Sequence, residues 1–302
     1  MKIGILGGTG AIGTSLTNYL VKNGNDIRIF SRKSTPPSHF HSNPKIEFIT
    51  TKEVTSNVLE GLDCIINLAG ESVIGGRWTE ERKKQLRDSR ILLTTNLIDE
   101  IKKLTLKPKI LIQGSAIGYY GMFDEGNFSL DENSEAGNDF LASLCVEWEN
   151  AANPAVDLGI KTYWIRTGIV LMPDAGALSQ MLPPFKLFIG GPMGSGKQFM
   201  SWIHIQDMIQ GMVYILNKLP SSGKYNFTAP NPVSNLEFSK TLAQVLNRPC
   251  IFSVPSVVVK SMFGESSEVI LKGQNVIPKK LIEIGYKFQY DSLSTALNNL
   301  LS

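Results

Sequence analysis

The sequence predicts an α/β chain: a doubly wound parallel sheet with a smaller C-terminal lobe. Three observations carry that expectation. The chain opens on an apolar run, Ile3 to Leu6, which breaks into Gly7, Gly10 and Gly13 and passes into the helical spacing of Ile12, Leu16, Leu20 and Val21. Short apolar runs then alternate with helical stretches as far as Leu171. Strands covered on both faces are written in that way. Beyond Leu171 the alternation gives way to loop-rich sequence with prolines and glycines, which marks the second lobe.

The opening stretch has a definite chemistry. In G-x-x-G-x-x-G the glycines allow a tight turn and close approach of backbone to a pyrophosphate, and the following helix N-terminus offers free N–H groups and partial positive charge. A strand before and a helix after turn a glycine-rich bend into a Rossmann-type dinucleotide-binding turn.

The next strand, Asp26 to Phe30, ends at Ser31-Arg32-Lys33. In such a unit this end lies beside the adenosine ribose, where an acidic residue grips the 2′-hydroxyl of NAD. No acid stands here. Arg32 offers a planar cationic fork and Ser31 a hydroxyl, which suit a 2′-phosphate and predict NADP(H). Pro36 to Pro44 reads as a loop with His39 and His41 in solvent, and Ile46 to Thr50 as a short strand. Asp63 to Gly70 is a buried strand ending in small residues, so that Ala69 and Gly70 let the adenosine side of the cofactor lie close to backbone. Arg77 to Lys102 is amphipathic and helical, Lys109 to Gln113 a strand, and Gly114 to Gly121 a loop carrying Ser115, Tyr119 and Tyr120. A helix from about Asp139 to Ala152 follows, and then two strands flanking Arg166-Thr167.

In the second half, Leu182 to Phe185 and Gly190 to Lys197 read as loops. Ser201 to Ile205 and Tyr225 to Thr228 read as strands, and Asp207 to Asn217 and Asn235 to Leu246 as helices. Pro249 to Pro255 is extended, and Lys279 onward gives a short helix and closing turn. Gly191 to Lys197 imitates the phosphate loop of nucleotide hydrolases. Gln198 replaces the magnesium-binding Ser or Thr, Pro192 removes a donor, and a strand rather than a helix follows, so that reading fails.

Composition bounds the function. With 302 residues, 42% hydrophobic and 19% charged, the chain is an ordinary globular protein, and a net charge of +3 argues for neither nucleic acid nor membrane as a partner. The three cysteines and three histidines are scattered, so no disulfide framework or metal site is expected. No secretory signal or membrane-spanning run is read, which points to the cytoplasm.

The motifs together resemble the extended, epimerase-like branch of the short-chain dehydrogenase/reductase superfamily. The glycine turn, Asn67-Leu68-Ala69-Gly70, Arg166-Thr167-Gly168 and Trp202 to Asp207 stand where that branch has its motifs. Arg77-Trp78, Ser89-Arg90, Gly118-Tyr119-Tyr120-Gly121, Trp148-Glu149 and Val276 to Lys280 narrow the resemblance to the "epimerase family protein" subgroup, which carries a C-terminal domain of unknown function. The resemblance implies a nucleotide-binding domain over 1–230, with loop 176–200 contributing to the substrate lobe, and a family-specific lobe over 231–302. It implies cofactor contacts at Gly7, Thr9, Gly10, Ala11, Ile12, Gly13, Ser31, Arg32, Leu68, Ala69 and Arg90, with Val170 lining the nicotinamide. For Arg90 a solvated helix arginine is the competing reading.

Superfamily enzymes use Ser with Tyr-x-x-x-Lys, the lysine lowering the phenol's pKa. In register with Trp148-Glu149, the Tyr position is Leu141 and the Lys position Cys145. Ser115 fits the serine position only with a one-residue shift, Ala116 standing in register. Ser115, Tyr119 and Tyr120 are the remaining catalytic candidates. Two functions therefore stand: an NADP(H)-dependent oxidoreductase or epimerase acting on a small polar molecule, and an NADP(H)-responsive regulatory module with reduced turnover.

Overall fold

Each early apolar run becomes a strand because both of its faces find a cover. The computed structural model describes every residue except 33, 34, 36, 41, 42, 51–53, 75, 126 and 127. Lys33, His41 and the His39 side chain of the sequence reading therefore lie outside the described residues.

In chain order the strands begin β1 (Lys2–Leu6), β2 (Asp26–Ser31), β3 (Ile46–Thr50), β4 (Cys64–Asn67), β5 (Ile110–Ala116) and β6 (Lys161–Thr167). They continue β7 (Ile169–Leu171), β8 (Phe199–Met200), β9 (Trp202–His204), β10 (Gly223–Phe227) and β11 (Val233–Ser234). Seven of them form a parallel sheet in the order β10-β6-β5-β4-β1-β2-β3. Strand order reverses between β1 and β4, and ligands of doubly wound sheets bind in the crevice at that reversal.

Alternation along the strands feeds two cores. Ile3 and Ile5, Cys64 and Ile66, Ile110 and Ile112, Tyr163 and Ile165 join the Ala11–Lys22 and Ile205–Lys218 helices on one face. Leu6, Ile65, Leu111 and Trp164 point the other way, toward Leu97, Ile98 and Ile101 of the Leu93–Lys102 helix. A third core builds the smaller lobe from Leu178, Leu182 and Phe185, Trp202, Phe238 and Leu242, and Leu293 and Leu297. That core draws chain from both sides of residue 230.

Three places differ from the sequence reading. Leu182 to Phe185, expected as loop, lies inside a helix, Gly176–Lys186, despite Pro183 and Pro184. Leu178, Leu182 and Phe185 share one buried face, and that packing outweighs the lost N–H donors. A helix at Ser256–Phe263 stands where the Val-rich spacing announces none. The closing segment is not only a short helix and turn but adds the Leu293–Leu301 helix, with Ser292 accepting a bond from the Thr295 N–H. No helix among the described residues is long and apolar enough to cross a membrane.

The lobes are fastened at the start of the Ile205–Lys218 helix. Asp207, 1% exposed, accepts bonds from Tyr286 Oη (2.8 Å), Gln289 N (2.8 Å) and Tyr290 N (2.9 Å). His204 caps the same helix through Nδ1, which accepts from Gln206 N, and its ring stacks on Tyr290 at 3.8 Å.

Asp207→Asn puts an amide donor against a backbone N–H. It should cost about 1–3 kcal/mol, read as a lower urea midpoint at unchanged m-value; a wild-type midpoint would show that the clasp carries no energy. Burial holds the His204 imidazole below its ordinary pKa of 6.5, against the pull of the Asp207 carboxylate. Below 6.5 the unfolded chain takes up a proton that the folded site refuses. Stability present above that pH is therefore lost as pH falls through the folded value. His204→Asn, which keeps a capping acceptor, should flatten that slope in denaturation curves recorded between about pH 7 and 5.

Candidate cofactor and active site

At the carboxyl end of β1 the backbone leaves no room for side chains. Gly7 has φ +78°, and a Cβ there would lie 2.8 Å from the Leu68 carbonyl. A Cβ at Gly13 would collide with the Gly7 carbonyl, and one at Gly10 would sit 3.2 Å from it. Gly10 N donates to Gly7 O at 2.9 Å, which closes the turn, and Gly10 caps the Ala11–Lys22 helix without a side-chain bond. The first-turn N–H groups of Ala11, Ile12 and Gly13 therefore meet no capping side chain, while Thr9, Gly10 and Ala11 border solvent. This is a cradle shaped for a pyrophosphate, and the residues present fit a dinucleotide.

The floor is built from β4. Leu68 N bonds Leu6 O at 2.9 Å, and Ala69 N bonds the Asn67 side chain at 3.3 Å. Asn67 is buried and donates to Thr94 and Gln113, each at 3.1 Å, so polar groups beneath the cradle are satisfied. One wall comes from Glu80–Arg87 and Leu93–Lys102, which are joined through a wider π-helical turn at Asp88–Leu92. That turn brings Ser89 Oγ to Glu71 N (3.1 Å) and Arg90 Nη2 to Glu71 O (2.7 Å). π-turns of this kind gather at functional sites. Arg90 is thus half-buried, beside Gly70 and over the Trp148 ring at 5.1 Å, not a solvated helix arginine.

At the end of β2, Ser31 is buried and Arg32 exposed. Arg32 Nη2 meets Glu71 Oε1 at 2.9 Å. Val170 lies half-buried on β7, paired in register with Ile203.

The catalytic candidates part company. Ser115 and Tyr120 enter a buried network, in which Ser115 Oγ donates to Glu149 Oε1 at 2.7 Å. Arg166 binds the same carboxylate twice, at 2.8 and 3.0 Å, and donates to Tyr120 Oη at 3.0 Å. Tyr120 in turn donates to Asn226 Oδ1 at 2.7 Å. Burial works against the Arg166 charge, but the Glu149 bonds prevail and its pKa stands above the ordinary value. Burial pushes the Tyr120 phenol up to about 12. Tyr119 differs: its ring lies on the Arg166 guanidinium at 3.4 Å, and its hydroxyl makes no hydrogen bond among the described residues.

Leu141 and Cys145 are buried against Gly118, and burial, with Glu149 nearby, pushes the Cys145 thiol up to about 12. Cys145 is a packed side chain. Beyond Tyr120 a cavity of about 490 Å³ opens between Gly121–Phe123, Gly137 and Lys272. A smaller cavity of about 110 Å³ shares Met122, Asp139 and Glu268 with it and reaches Leu141.

The sequence reading missed the Glu149–Arg166 pair, Asn226 and Glu71. A lone Arg closing the apolar run Tyr163 to Ile165 was the available signal, since a buried charge requires a partner.

Comparison with known proteins agrees with this geometry. Residues 3–144 match the NAD dependent epimerase/dehydratase family, and 254–300 match a domain of unknown function, DUF1731. The epimerase family protein YfhF of Bacillus subtilis is 37% identical over 302 residues, covering 100% of this chain and 98% of its own. The chloroplastic SDR39U1 homolog of Arabidopsis thaliana is 36% identical over 305 residues, covering 100% and 87%. The crystal structure of human epimerase family protein SDR39U1 (isoform 2) with NADPH superposes with TM-score 0.88 at 32% identity, covering 99% of both chains. With its glycine cradle at the strand reversal and full-length likeness to these proteins, the chain belongs to the NAD-dependent epimerase/dehydratase family, among the epimerase family proteins related to SDR39U1.

Proposed function

We propose that this protein is an NADP(H)-dependent, epimerase-like oxidoreductase acting on a small polar substrate held in the cavity beside Tyr120. The observation that carries the reading is the uncapped glycine turn at the strand reversal, with Arg32 on the adjacent strand end. The NADPH in the human relative's structure supports the phosphorylated cofactor. The first-turn N–H groups would hold the pyrophosphate, Ser31 and Arg32 the 2′-phosphate, and Val170 a face of the nicotinamide. When bound, the dinucleotide supplies hydride transfer. The protein's own work is to orient the reactants and hold a proton. Ser115 and Tyr120 spend their hydroxyls on the Glu149–Arg166 network, which leaves Tyr119 as the phenol with a proton to give. A reduced-turnover regulator is the second reading, favoured by Ala116, Leu141 and Cys145 in the usual Ser, Tyr and Lys positions.

Calorimetry should find NADPH bound about ten- to a hundredfold more tightly than NADH, since a charge-assisted bond contributes about 1.5–3 kcal/mol. Arg32→Ala should remove most of that difference; equal affinities in the parent would make Arg32 a plain basic turn. In single-turnover NADPH oxidation against simple carbonyls, the parent should run near background, because the missing pair normally supplies about 10²–10⁴-fold. Any rate found with a better substrate should fall at least tenfold in Tyr119→Phe; an undiminished rate would remove Tyr119 as proton donor.

A further inference from the structure

An acid that grips the adenosine ribose normally stands at the end of the second strand of such a unit. None stands at the end of β2, yet a carboxylate reaches the same place from another strand. Glu71 lies four residues beyond the end of β4 at Asn67. β4 and β2 are the two neighbours of β1, so the loop after β4 crosses the top of β1 to meet the loop after β2. There Glu71 Oε1 holds Arg32 Nη2 at 2.9 Å, while Oε2 stands 3.9 Å from Arg82 Nη1.

The Glu71 main chain is fixed on both sides. Ser89 accepts from its N–H at 3.1 Å and Arg90 donates to its carbonyl at 2.7 Å, so the side chain is aimed and not merely drifting. Arg82 is held as well, donating to Ser72 O at 2.7 Å and Gln85 Oε1 at 3.1 Å. The carboxylate thus stands between two cations: Arg32, its side chain 75% exposed, and the more enclosed Arg82.

We infer that Glu71 is a cofactor-selecting residue: its carboxylate competes with a 2′-phosphate for Arg32 and offers the acceptor that a 2′-hydroxyl needs. This rests on the NADP(H) reading above and deepens it. A 2′-phosphate arriving at Arg32 meets a like charge already holding the guanidinium, and is accommodated when Glu71 turns to Arg82. A 2′-hydroxyl needs no such release and donates to Glu71 directly. Arg32 and Glu71 therefore pull the preference in opposite directions. The carboxylate is ionised throughout the neutral range, because the Arg32 hydrogen bond holds its pKa below the usual value.

Titration calorimetry of the parent, Glu71→Gln and Arg32→Ala/Glu71→Gln with NADPH, NADH and adenosine 2′,5′-bisphosphate tests the assignment. The bisphosphate lacks the nicotinamide and isolates the adenosine end. Glu71→Gln should bind NADPH and the bisphosphate about three- to tenfold more tightly, the gain shrinking at high salt, as an exposed charge requires. NADH should weaken about threefold, since a neutral amide is the poorer acceptor. The double variant should lose the gain. An unmoved NADPH to NADH ratio in Glu71→Gln overturns the assignment, and so does weaker NADPH binding, which would mean that Glu71 preorganises Arg32. A parent that binds neither dinucleotide overturns the cofactor reading itself, a different failure.

Discussion

One buried ion pair ties the Phe140–Ala152 helix to β6, and the polar chain that leads from it reaches the C-terminal lobe. Glu149 is 3% and Arg166 2% exposed, and each charge is tolerable only because the other is present. Removing one member of such a pair typically costs about 3–5 kcal/mol, because the survivor is stranded in a poor solvent for charge. Ser115, Tyr120 and Asn226 occupy the remaining donors and acceptors, and Asn226 continues the chain to Ile277 O and Glu132 Oε1. Strand ends, the Tyr loop and the C-terminal lobe are thereby tied to one another around a single charge balance. Ser115 and Tyr120, candidates from the sequence, both spend hydrogen bonds within this network.

The cradle obeys a different constraint, shape rather than charge. Gly7 and Gly13 are required by what a Cβ would strike, and Gly10 caps the following helix without a side-chain bond. Exposed side chains, Arg32 among them, stand at the cradle's rim. Such side chains are exchanged at little cost to the fold.

Much of the sheet was legible because its strands are apolar runs with both faces covered, a signal carried within a few residues. The glycine turn was legible for the same reason. The C-terminal lobe was harder. Val257, Val258 and Val259 are β-branched and do not announce their helix, and Pro183 and Pro184 argue against the helix that contains them. There tertiary packing decides, and packing partners are distant in sequence. The site shows the same division: Arg32 could be read from its place after β2, whereas its partner Glu71 is 39 residues away and meets it only across the top of β1. Arg166 announced a buried charge without announcing Glu149, because pairing is a property of the folded chain.

The clasp on Asp207 bears on how the protein is made. Chains are synthesised from the N-terminus, and domains tend to fold as they emerge. One face of the sheet as far as β6 is covered by chain already made, while the other waits for the Ile205–Lys218 helix. By contrast, Leu178, Leu182, Phe185 and Trp202 share their core with Tyr290, Leu293 and Leu297. Until Tyr290, Leu293 and Leu297 leave the ribosome, an apolar face made much earlier has no cover, and the Asp207 carboxylate waits for Tyr286, Gln289 and Tyr290. Tyr290, Leu293 and Leu297 close the smaller lobe, and a nascent protein stopped short of them leaves that apolar face bare.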